Sequence, residues 1–306
     1  MSSAQITSPA VTVRCPAKVN LELLVGGVRP DGFHTLSTIY QAVSLYDEVT
    51  VEPAETWSVT LRGQYTEGVP TDGSNLAVRA AKVLADRHAI TQALTVTIRK
   101  DIPVAGGMAG GSADAAATLL ACDALWGLNS PKADLEEIAA ELGSDIPFLL
   151  HGGTAIGSGR GELLAPVLAR GTYHWVFVAA AGEGLSTPAV YREFDRRHGG
   201  LDIADPRPTP ELMAALRTGD VDALAAVVSN DLQPAALALN PALRETLDAG
   251  MEYGALAGFV SGSGPTCAFL TASAEASIDL AVALSASEIG DRVHRAHGPV
   301  LGAHLR

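Results

Sequence analysis

The chain has 306 residues, 47% of them hydrophobic and 18% charged, with 21 Lys+Arg against 34 Asp+Glu and a formal net charge of −13. That length supports two domains or one large one with a substantial core. The acidic balance excludes a sequence-independent nucleic-acid or anionic-membrane binder, which needs a basic face, but leaves a small phosphorylated ligand open.

The N-terminal MSSAQITSPAV lacks the charged-then-apolar design of a signal peptide. Residues 11–15 alternate like a strand, Pro16-Ala17 interrupts them, and 18–25 alternate again. Lys18, Asn20 and Glu22 share the polar side of that strand, with Val19, Leu21 and Leu23 opposite. Side chains two apart lie about 6–7 Å apart on one face, so Lys18 and Asn20 belong to one surface, either solvated or functional. Gly26-Gly27 and the RPDG of 29–32 mark turns. Phe33 and His34 at that tip either stack on and hydrogen-bond a base or simply pack. Residues 38–52 and 58–62 read as strands. The stretch 75–88 reads as a helix with Leu76, Ala80, Val83 and Leu84 on one face, and 94–99 as a strand.

Residues 103–117 read PVAGGMAGGSADAAA. Gly106, Gly107, Gly110 and Gly111 lead to Ser112, the expected N-cap of a helix carrying Ala115, Leu119, Cys122 and Trp126 on one face. A glycine loop feeding a helix N-terminus is an anion site, because free N–H groups and the positive dipole end face one point. It is neither a Walker A loop, since no lysine follows before Lys132, nor a Rossmann fingerprint, whose spacing Met108-Ala109 breaks. Either it is a phosphate cradle of another design or a tight strand-to-helix turn without a ligand.

Ser130 is the expected N-cap of the next helix, with Pro131 at its first position, a stripe of Leu135, Ile138 and Leu142, and Gly143 as the stop. Asp145, a lone acid before a proline in an apolar stretch, is a helix cap or a functional carboxylate. The glycines of 152–161 suggest a hairpin, with nucleotide contact by the GSGRG of 157–161 as the other reading. A boundary falls near 160–170. Beyond it come a strand at 175–181, far short of the roughly 20 residues of a membrane span, a helix at 186–195, and a Pro-rich loop to 210. Helices follow at 211–216, 221–228 and 241–253. Strands at 255–260 and 267–270 flank the small-residue turn SGSGPT, which closes against the first loop or is an ordinary hairpin. A helix from Ala274 and a short strand near Val293 end the chain, and His294 and His297, without acids or cysteines in pattern, read as surface. The three cysteines, Cys15, Cys122 and Cys267, read as reduced thiols of a cytosolic protein.

In this order the signals resemble the GHMP family of small-molecule kinases. The glycine loop is similar to that family's phosphate motif and SGSGPT to its C-terminal glycine motif. PAKVNLELLVGGVRPDGFHTLST (16–38) and GSDIPFLLHGGTAIGSGRGE (143–162) resemble the branch whose acceptor is a cytidine diphosphate ester of a branched polyol, in the non-mevalonate route to isoprenoid precursors. The likeness runs over 11–270. It implies an α+β fold of two domains, 1–165 and 166–306, with mixed and antiparallel sheets and the active site in the cleft between them.

The resemblance also implies an ATP-dependent transfer to an alcohol, with Mg²⁺, in a cytoplasmic monomer or weak homodimer that takes a small cytidine diphosphate substrate and no nucleic-acid or membrane partner. Lys18 and Asp145 match the catalytic pair and Asn20 a substrate-positioning residue. Phe33, His34 and Tyr191, the last through GLSTPAVY, match the surroundings of the cytosine. Asn75 and Lys100 fall where adenine and ribose are expected, and the loop from Pro103 through Gly106, Gly107, Gly110, Gly111 and Ser112 would wrap the triphosphate; no metal ligands are implied. The sequence departs from the family at Ala105 and Ala109, which interrupt the glycines and should stiffen the loop, at Met108 in place of leucine, at Ala113 in place of a second serine, and at Phe33 in place of tyrosine. Other members acting on mevalonate, homoserine or a sugar, a decarboxylase relative, and a non-catalytic nucleotide-binding relative are the alternatives.

Overall fold

The computed structural model describes residues 10–104, 106–179, 184–199, 203–287, 289 and 292–306; of the departures from the family, Ala105 lies outside them. The chain begins with a long antiparallel pair, β1 (Val11–Val28) and β2 (His34–Ala54). Their connecting turn is closed by Arg29 N–H to Phe33 O (2.7 Å) and by Gly32 at φ +83°. Pro16 does not end β1. A register shift between Pro16 and Ala17 absorbs it, as bulges do for a residue with no N–H to donate. The expected alternation holds, but Lys18, Asn20 and Glu22 are buried like the apolar side, so the solvated reading of that face fails.

β3 (Ser58–Gly63), α1 (Leu76–Arg87) and β4 (Ala93–Lys100) form a crossover, β3 parallel to β4 and β4 antiparallel to β2. α2 (Gly110–Trp126) packs against β1, β2 and α1 and is buried almost all round. Its alanines permit that close approach. α3 (Lys132–Leu142) has Pro131, not Ser130, at its N-cap. α4 (Ile146–His151) leads to the hairpin β5 (Thr154–Ser158) and β6 (Leu163–Pro166), and β5 pairs with β2.

The second sheet starts at β7 (Tyr173–Ala179), ending the 175–181 expectation at the last described residue there. After it come α5 (Thr187–His198), α6 (Pro210–Thr218), α7 (Val221–Ala225), β8 (Ser229–Asn230), α8 (Gln233–Leu239), α9 (Ala242–Glu252), β9 (Ala257–Val260), β10 (Cys267–Thr271), α10 (Ala274–Ala286), β11 (Arg292–Gly298) and β12 (His304–Leu305). Its order is β11-β7-β10-β9, all antiparallel.

β7 explains why its sequence is one apolar run. Tyr173, Trp175 and Phe177 belong to the core shared with the first sheet, and Val176 and Val178 to the core shared with the later helices. A strand buried on both faces shows no alternation. Trp175 Nε1 donates to Gln41 Oε1 of β2 at 3.1 Å, tying the sheets together. The expected division at 165/166 cuts the last residue from β6, just ahead of β7, and β8 and β12 return to pair with β1. These two short strands and α8 have no counterpart in the sequence expectations.

Candidate active site

Lys18 and Asp145 meet in a cleft of about 940 Å³. Lys18 Nζ lies 3.8 Å from Asp145 Oδ2 and donates to Asn20 Oδ1 at 2.6 Å. Asn20 Nδ2 donates to Thr38 Oγ1 at 2.8 Å, which donates to the Glu22 carbonyl at 2.7 Å. This chain of bonds fixes the Asn20 amide and aims the ammonium. Burial lowers the Lys18 pKa from its ordinary value, and Asp145 opposes that shift. Asp145 stands at the N-cap position of α4 but makes no side-chain cap bond. Its carboxylate instead faces Lys18 and accepts from the Tyr40 hydroxyl at 3.0 Å. The cap alternative therefore falls.

The glycine loop runs alongside. Lys18 N–H donates to Met108 O at 3.2 Å, anchoring the loop to β1. The N-cap of α2 is Ala109 at φ 62°, not Ser112, which lies in the first turn. Ala109 thus adopts a left-handed conformation that costs a non-glycine residue about 1–2 kcal/mol. Its carbonyl accepts the Ala113 N–H at 2.8 Å, so it opens the helix despite the stiffness expected of alanine. Gly106, Gly107, Gly110, Gly111 and Ser112 all line the cleft.

The turn 261–266 both joins β9 to β10 and closes against this loop. Ser261 Oγ donates to Gly107 O at 3.2 Å. A Cβ on Gly262 (φ +56°) would fall 3.3 Å from both Gly107 O and Lys18 Nζ. Gly107 itself is at φ +72°, and a Cβ there would strike the Ser261 carbonyl oxygen. Gly107→Ala should destabilise the fold by about 1–3 kcal/mol, the cost of such backbone strain, read as a lower denaturant midpoint.

Phe33 is 53% exposed, with the Arg160 guanidinium 5.0 Å from its ring centroid. His34 is buried beside it. Its Nδ1 donates to the Gly26 carbonyl at 2.8 Å and its Nε2 lies 3.2 Å from Asp195 Oδ1. Tyr191 stacks on His34 with centroids 5.2 Å apart, and burial pushes its phenol up, so it stays protonated. All three line the cleft, together with Arg160, from the GSGRG stretch, and Asp195, which no sequence signal singled out.

Three expected loop and nucleotide residues are not among those lining the cleft. Asn75 caps α1, its Oδ1 accepting from Ala77 N–H at 2.9 Å and its Nδ2 donating to Pro70 O at 2.7 Å. Its amide is thus occupied, and its neighbour Leu76 reaches the cleft instead. Lys100 is buried in an ion cluster with Asp47 and Asp114. Pro103 is buried, its Cβ 3.3 Å from where a Gly106 Cβ would stand. His294 and His297 bond Tyr65 and Ser44 respectively, and no group of three or more metal-ligating side chains occurs among the described residues. No helix among them is long and apolar enough to cross a membrane.

Family models described as GHMP kinases N terminal domain and GHMP kinases C terminal match residues 75–153 and 212–289. A 4-diphosphocytidyl-2-C-methyl-D-erythritol kinase of Streptomyces avermitilis is 56% identical over 96% of this chain and 99% of its own length. That of Mycolicibacterium smegmatis is 55% identical over 99% of this chain and 95% of its own. A crystal structure of 4-(cytidine 5′-diphospho)-2C-methyl-D-erythritol kinase superposes with a TM-score of 0.75 at 32% identity, covering 93% of this chain and 98% of that one. An L. major mevalonate kinase in complex with R-mevalonate shares the fold at TM-score 0.74 and 16% identity, covering 99% and 100%.

Proposed function

The chain belongs to the GHMP kinases and, within them, to the 4-diphosphocytidyl-2-C-methyl-D-erythritol kinase family, and from that membership we propose how its residues transfer the terminal phosphoryl of ATP to the 2-hydroxyl of that cytidyl substrate. The observation that carries the reading is one cleft lined by a Lys18–Asp145 pair at 3.8 Å, a helix N-terminus and the aromatic groups Phe33, His34 and Tyr191. Phosphoryl transfer is chiefly positioning and charge neutralisation. The N–H groups of the loop and the start of α2 hold the triphosphate. Asp145 accepts the proton of the acceptor hydroxyl, and the Lys18 ammonium offsets the negative charge gathering on that oxygen. Asn20 orients the acceptor and the ammonium together. Phe33, His34 and Tyr191 hold the cytosine, remote binding energy that places the hydroxyl.

Mg²⁺ is bound in such sites by one or two oxygen side chains plus substrate phosphates. The Ser112 hydroxyl in the cleft fits that donor set as one oxygen beside the substrate phosphates, and the ion would supply charge neutralisation on them. The enzyme works in the cytoplasm, as a monomer or weak homodimer, its buried Cys15, Cys122 and Cys267 free thiols.

ADP release measured over a panel of acceptors tests the reading. Turnover with the cytidyl substrate and none with mevalonate or homoserine is expected, and the reverse would overturn it. Phe33→Ala should raise KM for the cytidyl substrate by roughly fivefold or more, since a base–aromatic stack contributes about 1–3 kcal/mol, while KM for ATP stays put. Equal rises for both substrates would move Phe33 out of the cytosine pocket.

A further inference from the structure

The two carboxylate oxygens of Asp145 face different groups. Oδ2 faces Lys18 Nζ at 3.8 Å, and Oδ1 accepts from the Tyr40 hydroxyl at 3.0 Å. Tyr40 sits on β2, 2% exposed, paired in register with Asn20 on β1. Its ring stacks on Phe148 of α4, the helix that Asp145 opens, with centroids 4.8 Å apart. Two glycines cut the slot for that ring. A Cβ on Gly157 would fall 2.6 Å from Tyr40 Cε2, and one on Gly161 would strike the hydroxyl oxygen. Gly157 and Gly161 thus make room for Tyr40.

We propose that Tyr40 is a positioning residue for phosphoryl transfer, holding the plane of the Asp145 carboxylate so that Oδ2 is turned toward the acceptor hydroxyl. This rests on Asp145 being the proton acceptor. The terminal torsion of an aspartate is broad and roughly two-fold, so an unheld carboxylate samples planes that face neither Lys18 nor the acceptor. A hydrogen bond to an ionised group is about twice as strong as a neutral one, enough to select one plane. Misplacement of a reacting group by about 1 Å can cost as much as 10²-fold in rate. Burial pushes the Tyr40 phenol well above its ordinary range, and the Asp145 charge adds to that, so the hydroxyl remains a donor. The charged and titratable groups facing the pair are Lys18 from β1, Glu162 from the turn before β6 and Tyr191 from α5.

Steady-state kinetics and thermal unfolding of Tyr40→Phe, Asp145→Asn and the double variant test the proposal. Phenylalanine keeps the ring and its stack and removes only the donor. Tyr40→Phe is expected to lower kcat about tenfold, the share of one charge-assisted hydrogen bond, with both KM values and the unfolding midpoint unchanged. In the Asp145→Asn background the same change should alter kcat by less than about twofold, because no carboxylate remains to be oriented. Unchanged kcat in Tyr40→Phe, an equal loss in both backgrounds, or a loss matched by unfolding would overturn the positioning role. Full turnover in Asp145→Asn would instead remove the proton-acceptor reading on which it stands.

Discussion

Asp145→Asn is expected to leave the fold intact and to lower kcat by at least about 10²-fold, the lower range for a general acid–base group. The side chain is 31% exposed and supplies no cap bond to α4, so its loss removes few contacts on which folding depends. An amide of the same shape still accepts from Tyr40 and still faces Lys18, but it cannot take the proton of the acceptor alcohol. Because the substitution acts on the reacting centre alone, KM for both substrates should hold while kcat falls. Near-normal turnover in a folded variant would take the proton-acceptor role away from Asp145.

Lys100→Met should destabilise the protein by about 3–5 kcal/mol, the cost of removing one partner from a buried ionic cluster. Lys100 bonds Asp47, and it bonds Asp114 at 2.8 Å; the three side chains are 1%, 0% and 4% exposed. Burial alone would lower the Lys100 pKa, but Asp114 and Asp47 outweigh it and leave the value raised, so the ammonium persists. Burial pushes Asp114 well above the ordinary carboxylate range against the pull of Lys100, and Asp47 pushes it further. Asp47 Oδ1 also accepts the N–H groups of Asp101 and Ile102, at 2.6 and 2.8 Å, where β4 hands the chain to the glycine loop.

Without the lysine two carboxylates are left facing each other in the interior. A carboxyl with a raised folded-state pKa binds protons more readily folded than unfolded. The deficit should therefore shrink as pH falls through the raised value and be full above it, which denaturant midpoints across pH will show. An unchanged midpoint with a raised KM for ATP would put Lys100 on the nucleotide instead.

The sequence carried the local part of this site. Alternation placed Lys18 and Asn20 on one face of β1, and the glycines before α2 marked an anion cradle. Their burial did not follow from alternation, because it depends on the 261–266 turn, far along the chain, folding over Lys18. Ser112 looks like an N-cap by residue type, but the left-handed residue falls at Ala109, where the loop must pass under Ser261. Lys100 reads as a nucleotide cation until Asp47, 53 residues earlier, is brought against it. Tyr40 carries no signal at all, since a tyrosine in an apolar strand declares neither its Asp145 partner, 105 residues away, nor the glycines that admit it. Strands of two residues such as β8 and β12 are defined by pairing with β1, not by their own sequence. Family likeness supplied what these distant contacts hide, and it did so unevenly, placing Lys18, Asp145, Phe33, His34 and Tyr191 around one cleft but giving Asn75 and Lys100 nucleotide roles while their side chains are engaged elsewhere.

The most direct test is phosphorus NMR of the wild-type reaction with ATP and 4-diphosphocytidyl-2-C-methyl-D-erythritol. The expected result is one new monoester phosphorus per ADP formed, on the 2-hydroxyl, with the substrate's diphosphate pair intact. ADP without that ester, or the ester at another oxygen, would contradict transfer to the 2-hydroxyl at this cleft.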